Sequence, residues 1–325
     1  MFKKDKPIAL KGSTSSLCNN LAAFIIADKS QLNYAVVHKS VINIACASAD
    51  GSSVVGRQLI CKEPSASQGL PFVIQAKWIT FPTRTLFVLT SQRGIQIYEP
   101  DASAMVHWHC LSDSLEKSNF GKGIAGIGDN LLCVGSEEGA ILLFNIPSKG
   151  TAVTLADTVK KHSAPISDLA SEGETLVSAD ELGSIIVWKL SGSTMSVISN
   201  IRGSGWPCNS VALWKDVIVG GFASGHLRVY SAASGAIGAE VTAHARAVNA
   251  VDIAKESGLV LSVSDDTFLR VWQLKAMNVP QIEFRHSECL SDLQLVGGQF
   301  VDGQGKALCI TGYDSNEIQF FVNQH

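Results

Sequence analysis

An excess of charge of either sign is missing from this sequence: 17% of its 325 residues are charged, and the net charge is −3. Proteins held to nucleic acid or anionic lipid by charge carry a basic face, so neither partner is expected. No apolar run approaches the roughly 18 residues that a membrane-spanning helix needs. The N-terminal MFKKDKPIALKGS has only a four-residue apolar stretch where a secretory signal would have its core. The eight cysteines (Cys18, Cys46, Cys61, Cys110, Cys133, Cys208, Cys289, Cys309) include no C-x-x-C pair, and no N-x-S/T acceptor occurs. Cys46, Cys133 and Cys309 fall in apolar strand-like runs, where a thiol acts as a small hydrophobe. A soluble protein of a reducing cytoplasm is expected rather than a disulfide scaffold.

Aromatic residues are also scarce, at 7%, but they recur on a period. Tyr98, Phe144, Trp188, Tyr230, Trp272 and Phe320 stand 46, 44, 42, 42 and 48 residues apart. Each follows an aliphatic-small pair by nine to eleven residues: Leu89-Thr90, Val134-Gly135, Val177-Ser178, Val219-Gly220, Leu261-Ser262 and Ile310-Thr311. Runs such as TLFVLT, NLLCVG, DVIVGG and GLVLSV are short, continuous and β-branched, as strands buried on both faces are. The period is that of four-stranded propeller blades. One period before Tyr98, LNYAVVHKSVINIACA (32–47) supplies a further strand pair, with LAAFII (21–26) ahead of it. The expectation is an all-β chain forming one domain over residues 1–325, a seven-bladed β-propeller of four-stranded antiparallel blades.

The last blade has only three strands downstream, and PIAL (7–10) is an apolar run without a local partner. The N-terminal strand is therefore expected to complete blade 7, since pairing the two chain ends removes the open sheet edges. KEPSASQGLP (62–71) and LSDSLEKSN (111–119) read as polar connections between blades.

Blade 6, AHARAVNAVDIAKESGLVLSVSDDTFLRVW, resembles a unit of the WD-repeat family. His244, Ser262, Asp266 and Trp272 stand where that family places a hydrogen-bonded tetrad, in which imidazole can bridge carboxylate and hydroxyl while the hydroxyl accepts from the indole N–H. His162, Ser178 and Trp188 match in blade 4, but Leu182 occupies the aspartate position, with Asp180 and Glu181 as the nearest acids. Lys161 and Ala243 replace the glycine before each histidine, and Lys189 and Gln273 the aspartate after each tryptophan. The resemblance implies a cytoplasmic scaffold or adaptor without catalytic equipment, in signalling or vesicle-associated assemblies.

Patterns that would carry other chemistry fail on context. GKGIAG (Gly121, Gly123, Gly126) satisfies a dinucleotide fingerprint, but a strand and not a helix is expected to follow it. GQGKA (303–307) lacks the rest of a phosphate loop and reads as a hairpin turn. His107 and His109 of MVHWHC share one strand face beside Cys110; zinc would need further ligands, and a polar outer strand is the simpler reading. No catalytic residue, cofactor or metal is expected.

The turns between second and third strands, and the segments leading into first strands, converge on one rim. The turns supply Arg93, Glu137, Glu138, Asp180, Glu181, Asp265 and Asp314, and the leading segments Trp78, Lys122, Trp206 with Pro207, Arg246 and His286. Carboxylates from blades 3 and 4 are expected to favour a basic peptide segment of a protein partner, with Trp206 as its apolar anchor. The alternative is a substrate receptor or small-molecule binder that uses the central channel.

Overall fold

The computed structural model describes residues 1–26, 31–48, 53–62, 69–111 and 119–324, and every element among them is a strand. Strand β1 is Phe2–Ala9. Blade 1 comprises β2 Leu21–Ile26, β3 Gln31–His38, β4 Val41–Ser48 and β5 Val54–Ile60, and blade 2 comprises β6 Val73–Thr80, β7 Thr85–Ser91, β8 Gly94–Tyr98 and β9 Met105–Cys110. Blade 3 is β10 Gly121–Ile127, β11 Leu131–Ser136, β12 Ala140–Asn145 and β13 Thr154–Lys160; blade 4 is β14 Ile166–Glu172, β15 Thr175–Asp180, β16 Ile185–Ser191 and β17 Thr194–Ile201. Blade 5 holds β18 Cys208–Trp214, β19 Val217–Phe222, β20 His226–Ser231 and β21 Ile237–Thr242, and blade 6 holds β22 Val248–Ala254, β23 Leu259–Ser264, β24 Phe268–Lys275 and β25 Gln281–Cys289. Blade 7 contains β26 Leu295–Phe300, β27 Ala307–Gly312 and β28 Glu317–Asn323, with β1 as its fourth strand. The fold is a seven-bladed β-propeller of four-stranded antiparallel sheets.

The closing strand is longer than the apolar run that announced it. Antiparallel pairing of β1 with β28 runs from Phe2 opposite Asn323 to Ala9 opposite Glu317, with a bulge between Asp5 and Ile8. The bulge spans Pro7, which has no N–H to give to a ladder and is tolerated at an edge for that reason.

The apolar core is divided into seven clusters, each lying between two neighbouring blades. Each blade thus buries its faces against its neighbours, and the continuous strand hydrophobicity follows from burial on both sides. Trp78, Tyr98, Trp188, Tyr230 and Trp272 are buried there. Side chains on the first strands also stitch blade to blade. Gln75 accepts from the Gly123 amide at 2.9 Å, Asp168 from Val211 at 2.9 Å, Ser210 from Val251 at 3.0 Å, Asp252 from Phe300 at 2.7 Å, and Gln299 from Ala23 at 2.6 Å. These bonds satisfy amides that no ladder within a blade reaches.

GKGIAG lies within β10 and is followed by strand β11, with no helix after it, and Gly126 faces Ile79 and Phe81 of blade 2. GQGKA lies in the β26–β27 connection, where Asp302 accepts the amides of Gln304, Lys306 and Ala307. Most of the connections at 62–71 and 111–119 lies outside the described residues.

Candidate interaction site

The blade 6 tetrad is assembled. His244 Nδ1 lies 3.0 Å from Asp266 Oδ1 and its Nε2 2.8 Å from Ser262 Oγ, while the Trp272 indole donates to that hydroxyl at 3.0 Å. Asp266 also accepts the amides of Ala245 and Phe268. Burial pushes this carboxyl up, but hydrogen bonding and charge from His244, with the two amides, outweigh burial and hold it below the usual carboxylate range. Burial keeps the His244 ring below its ordinary value despite Asp266. A neutral ring with Nδ1–H toward the carboxylate leaves Nε2 to accept from Ser262, whose oxygen is then free for the indole.

Blade 4 corrects the sequence reading. Its tetrad is complete, but the acid is Asp180 and not the residue at position 182. His162 Nδ1 is 2.8 Å from Asp180 Oδ2, His162 Nε2 is 2.7 Å from Ser178 Oγ, and the Trp188 indole donates to Ser178 at 2.8 Å. Asp180 sits at the end of β15 instead of in the following turn, yet its side chain spans the difference. Its other oxygen accepts the amides of Leu182 and Ser184 at 3.0 and 2.8 Å. Ser184 follows Ser178 by the same interval at which Phe268 follows Ser262, so the two carboxylates hold equivalent amides. Asp180 is buried and is not a surface carboxylate of the rim.

The rim therefore carries three of the four expected carboxylates, with Glu138 and Glu181 exposed and Glu137 half-buried. Arg93 is half-buried in the β7–β8 turn, where its carbonyl accepts from Leu111. Asp265 accepts from Asn249 at 2.7 Å, and the Asp314 amide donates to Thr14. Three residues assigned to leading segments lie within strands. Trp78 is buried in β6 with its indole on the Pro100 carbonyl, Lys122 is in β10, and His286 is in the outermost strand β25. Strands β6 and β10 begin earlier than their apolar centres suggest.

Arg246 is exposed, and Trp206 is 55% exposed. Beside Trp206 stands a residue whose role was not read from the sequence. Leu182, half exposed, projects from the 181–184 turn, and its carbonyl accepts from Gly205 at 3.1 Å. Gly183 makes the approach feasible: φ is +79°, and a Cβ there would collide with the Trp206 carbonyl. The far side of the 202–207 segment is held by Arg228, which donates to Ser204 at 2.7 Å and lies over the Phe222 ring. Backbone contacts thus set the exposed Leu182 and Trp206 on two adjoining connections.

A cavity of about 260 Å³ occupies the channel, lined by first strands of all seven blades, among them Lys77, Asp168, Asp252 and Gln299. Burial raises the Asp168 and Asp252 carboxyls and lowers the Lys255 ammonium. The segment between β1 and β2 lies across the mouth of the channel. Asn19 donates to Asp168 of blade 4 at 3.1 Å and accepts from Ser210 of blade 5 at 3.2 Å, Cys18 meets Asn249 of blade 6 at 3.3 Å, and Asn20 accepts from Thr311 of blade 7 at 2.7 Å. On the outer strand β9, His107 and His109 stack on each other and set their edges against Phe144 of blade 3. Among the described residues no three His, Cys, Asp or Glu side chains are placed to share a metal ion.

Seven blades on this period, with His-Ser-Asp-Trp wiring in two of them, define a WD-repeat β-propeller. The match with the WDR54 family covers residues 1–324, and the chain belongs to that family. It is 38% identical to WD repeat domain 54 of Rattus norvegicus, covering 99% of both chains. It is 37% identical to WD repeat-containing protein 54 of Homo sapiens, again over 99% of each. The fold is also similar to the crystal structure of the RRP9 WD40 repeats, with a TM-score of 0.74 at 14% identity, covering 99% of this chain and 100% of that one.

Proposed function

We propose that this propeller is a non-catalytic scaffold that holds a protein partner on the rim around blades 3 to 5. The observation that carries this is the exposed Trp206 beside Leu182, on a support held by Gly183 and Arg228. A large aromatic presented on a preorganised surface is the kind of group on which binding energy concentrates. Glu137, Glu138 and Glu181 favour a basic stretch in that partner. The channel is the weaker candidate: Asp168, Asp252, Gln75 and Gln299 bond to neighbouring blades, and residues 18–20 bond across its mouth. A reducing cytoplasm is the proposed place of action, and vesicle-associated assemblies are included in the proposal.

Affinity capture from cells with wild-type protein and with Trp206→Ala tests the reading. The variant should keep the wild-type circular dichroism melt and lose the main captured partner. A bound set unchanged by the substitution would place recognition elsewhere.

A further inference from the structure

Two glutamines hold the same place in blades 2 and 7. Gln96 on β8 pairs with Leu89 and Gln319 on β28 pairs with Ile310, and both are buried. Gln96 is satisfied at both ends of its amide. Its Nε2 donates to the Lys62 carbonyl at 2.9 Å, and its Oε1 accepts from the hydroxyl of Tyr98, two residues on, at 2.7 Å. In blade 7 the residue two on is Phe321, which has no hydroxyl to give. Gln319 Nε2 donates to Glu317 Oε2 at 2.6 Å, which fixes the orientation of the amide. Its Oε1 is left buried, with no hydrogen-bond donor among the described residues. A buried carbonyl oxygen in that state opposes folding unless a donor comes from elsewhere.

Gln319 lines a cleft of about 270 Å³ between blades 6 and 7. Leu290, Leu293 and Phe321 give the cleft an apolar wall, with Glu288 of β25 and Lys4 of the closing strand β1 also lining it. The 290–293 turn is fixed by its backbone: the Leu290 amide donates to the Thr267 carbonyl at 2.9 Å, and the Leu293 amide to the Leu290 carbonyl at 3.1 Å. Leu293 packs on Gly312, where a Cβ would collide with it. A space of this size falls just short of the roughly 300 Å³ at which small-molecule pockets begin, and suits a single inserted side chain.

The chemistry of the cleft narrows what that side chain is. It needs an apolar body for the leucines and Phe321, and a hydrogen to give to Gln319 Oε1. A carboxylate has no such hydrogen and would meet Glu288, and an ammonium would meet Lys4. A phenol satisfies every wall: its ring is apolar and its hydroxyl is a neutral donor. Blade 2 shows the same pairing made within one chain, by Tyr98 on Gln96. We infer that the cleft between blades 6 and 7 receives a tyrosine side chain of a protein partner, whose hydroxyl takes the place at Gln319 that Tyr98 fills at Gln96. This contact is separate from the surface at Trp206.

Methyl NMR of Leu290 and Leu293 tests it, with the full-length protein titrated with N-acetyl-tyrosinamide and, separately, N-acetyl-phenylalaninamide. The tyrosine compound should shift both residues saturably, and the phenylalanine compound should bind about tenfold more weakly, because it leaves Gln319 without its donor. Gln319→Leu removes the acceptor and should bring the two compounds to equal affinity. Phe321→Tyr supplies the hydroxyl from within; it should melt at or above the wild-type temperature and lose the preference for tyrosine. Trp206→Ala should bind both compounds as wild type does. Absence of a saturable shift, equal affinity of the two compounds for wild type, or a preference that survives Gln319→Leu overturns the inference and leaves the rim reading standing. Loss of the captured partner in Trp206→Ala bears on the rim alone.

Discussion

Asp180 Oδ2 lies 2.8 Å from His162 Nδ1, in a pair from which solvent is excluded. Its neighbour Glu181 is exposed at the surface. Adjacent acids in one sequence therefore do unrelated work. Asp180→Ala leaves a buried imidazole and two turn amides without their acceptor, and should destabilise by about 3 kcal/mol or more. Glu181→Lys should stay within about 0.5 kcal/mol of wild type. Urea denaturation of both variants checks this, and equal effects would contradict the assignment.

Trp272→Ala should cost about 3 to 5 kcal/mol, because a buried indole leaves a cavity and Ser262 loses a donor. His244→Ala should cost less, since a smaller group leaves a smaller space. Chemical denaturation in which Trp272→Ala unfolds with wild type would remove the structural role of the blade 6 tetrad.

Acid should weaken the fold through the same tetrad. Asp266 has its folded-state pKa depressed by His244 and two amides, which outweigh burial. Its contribution is therefore present above the unfolded value of about 3.9 and is lost as pH falls through the folded value. His244 is depressed by burial, so its contribution is present above about 6.5 and is lost below it as the unfolded chain takes up the proton first. The raised carboxyls Asp168 and Asp252 have the opposite sign, giving stability at low pH that is lost as pH rises through their folded values. The difference between wild type and Asp266→Asn isolates the tetrad. It should shrink as pH is lowered below about 4, and a difference independent of pH in urea midpoints would contradict the assignment.

Deleting residues 1–12 removes β1 and exposes the edge of β28, where Ile8 had paired with Ile318 and Asp5 with Phe320. Loss of cooperative unfolding and aggregation on size exclusion are expected. A truncated protein that melts as the full chain does would show that β1 does not secure the ring.

Asn19 has a left-handed backbone, with φ of +56°, and its side chain bonds to blades 4 and 5. Asn19→Gly loses only the bonds, at about 1 kcal/mol or more. Asn19→Ala adds the cost of a Cβ in that conformation, a further 1 kcal/mol or so. Thermal melts should rank wild type above glycine and glycine above alanine; the reverse order of the two variants would contradict the left-handed assignment.

The ring was legible because its determinants are local. A blade needs short β-branched runs, a turn and an aromatic at fixed spacing, and each of these lies within one period. The closing strand could be placed for the same reason, as an apolar run with no neighbour, although its extent from Phe2 to Ala9 reflects pairing with β28 and not its own hydrophobicity.

The tetrad of blade 4 shows where that reading stopped. Spacing locates Ser178 and Trp188 and points to the turn for the acid, whereas the carboxylate of Asp180 reaches the imidazole from the strand end. Side-chain reach depends on three-dimensional direction, which a one-dimensional interval does not carry. The same limit hides Leu182, which stands at the aspartate position in the sequence and adjoins the Trp206 segment through contacts between two separate connections.

By itself, the sequence determined the strand pattern, the number of blades and the closure by an N-terminal strand, all consequences of hydrophobic period and repeat length. Only the tertiary structure decided which acids are buried, which apolar residues share a surface, and that Asn19 meets Asp168 and Ser210, 149 and 191 residues away. Those contacts exist because the blades pack into a closed ring. Ring closure brings into contact residues that no local preference relates.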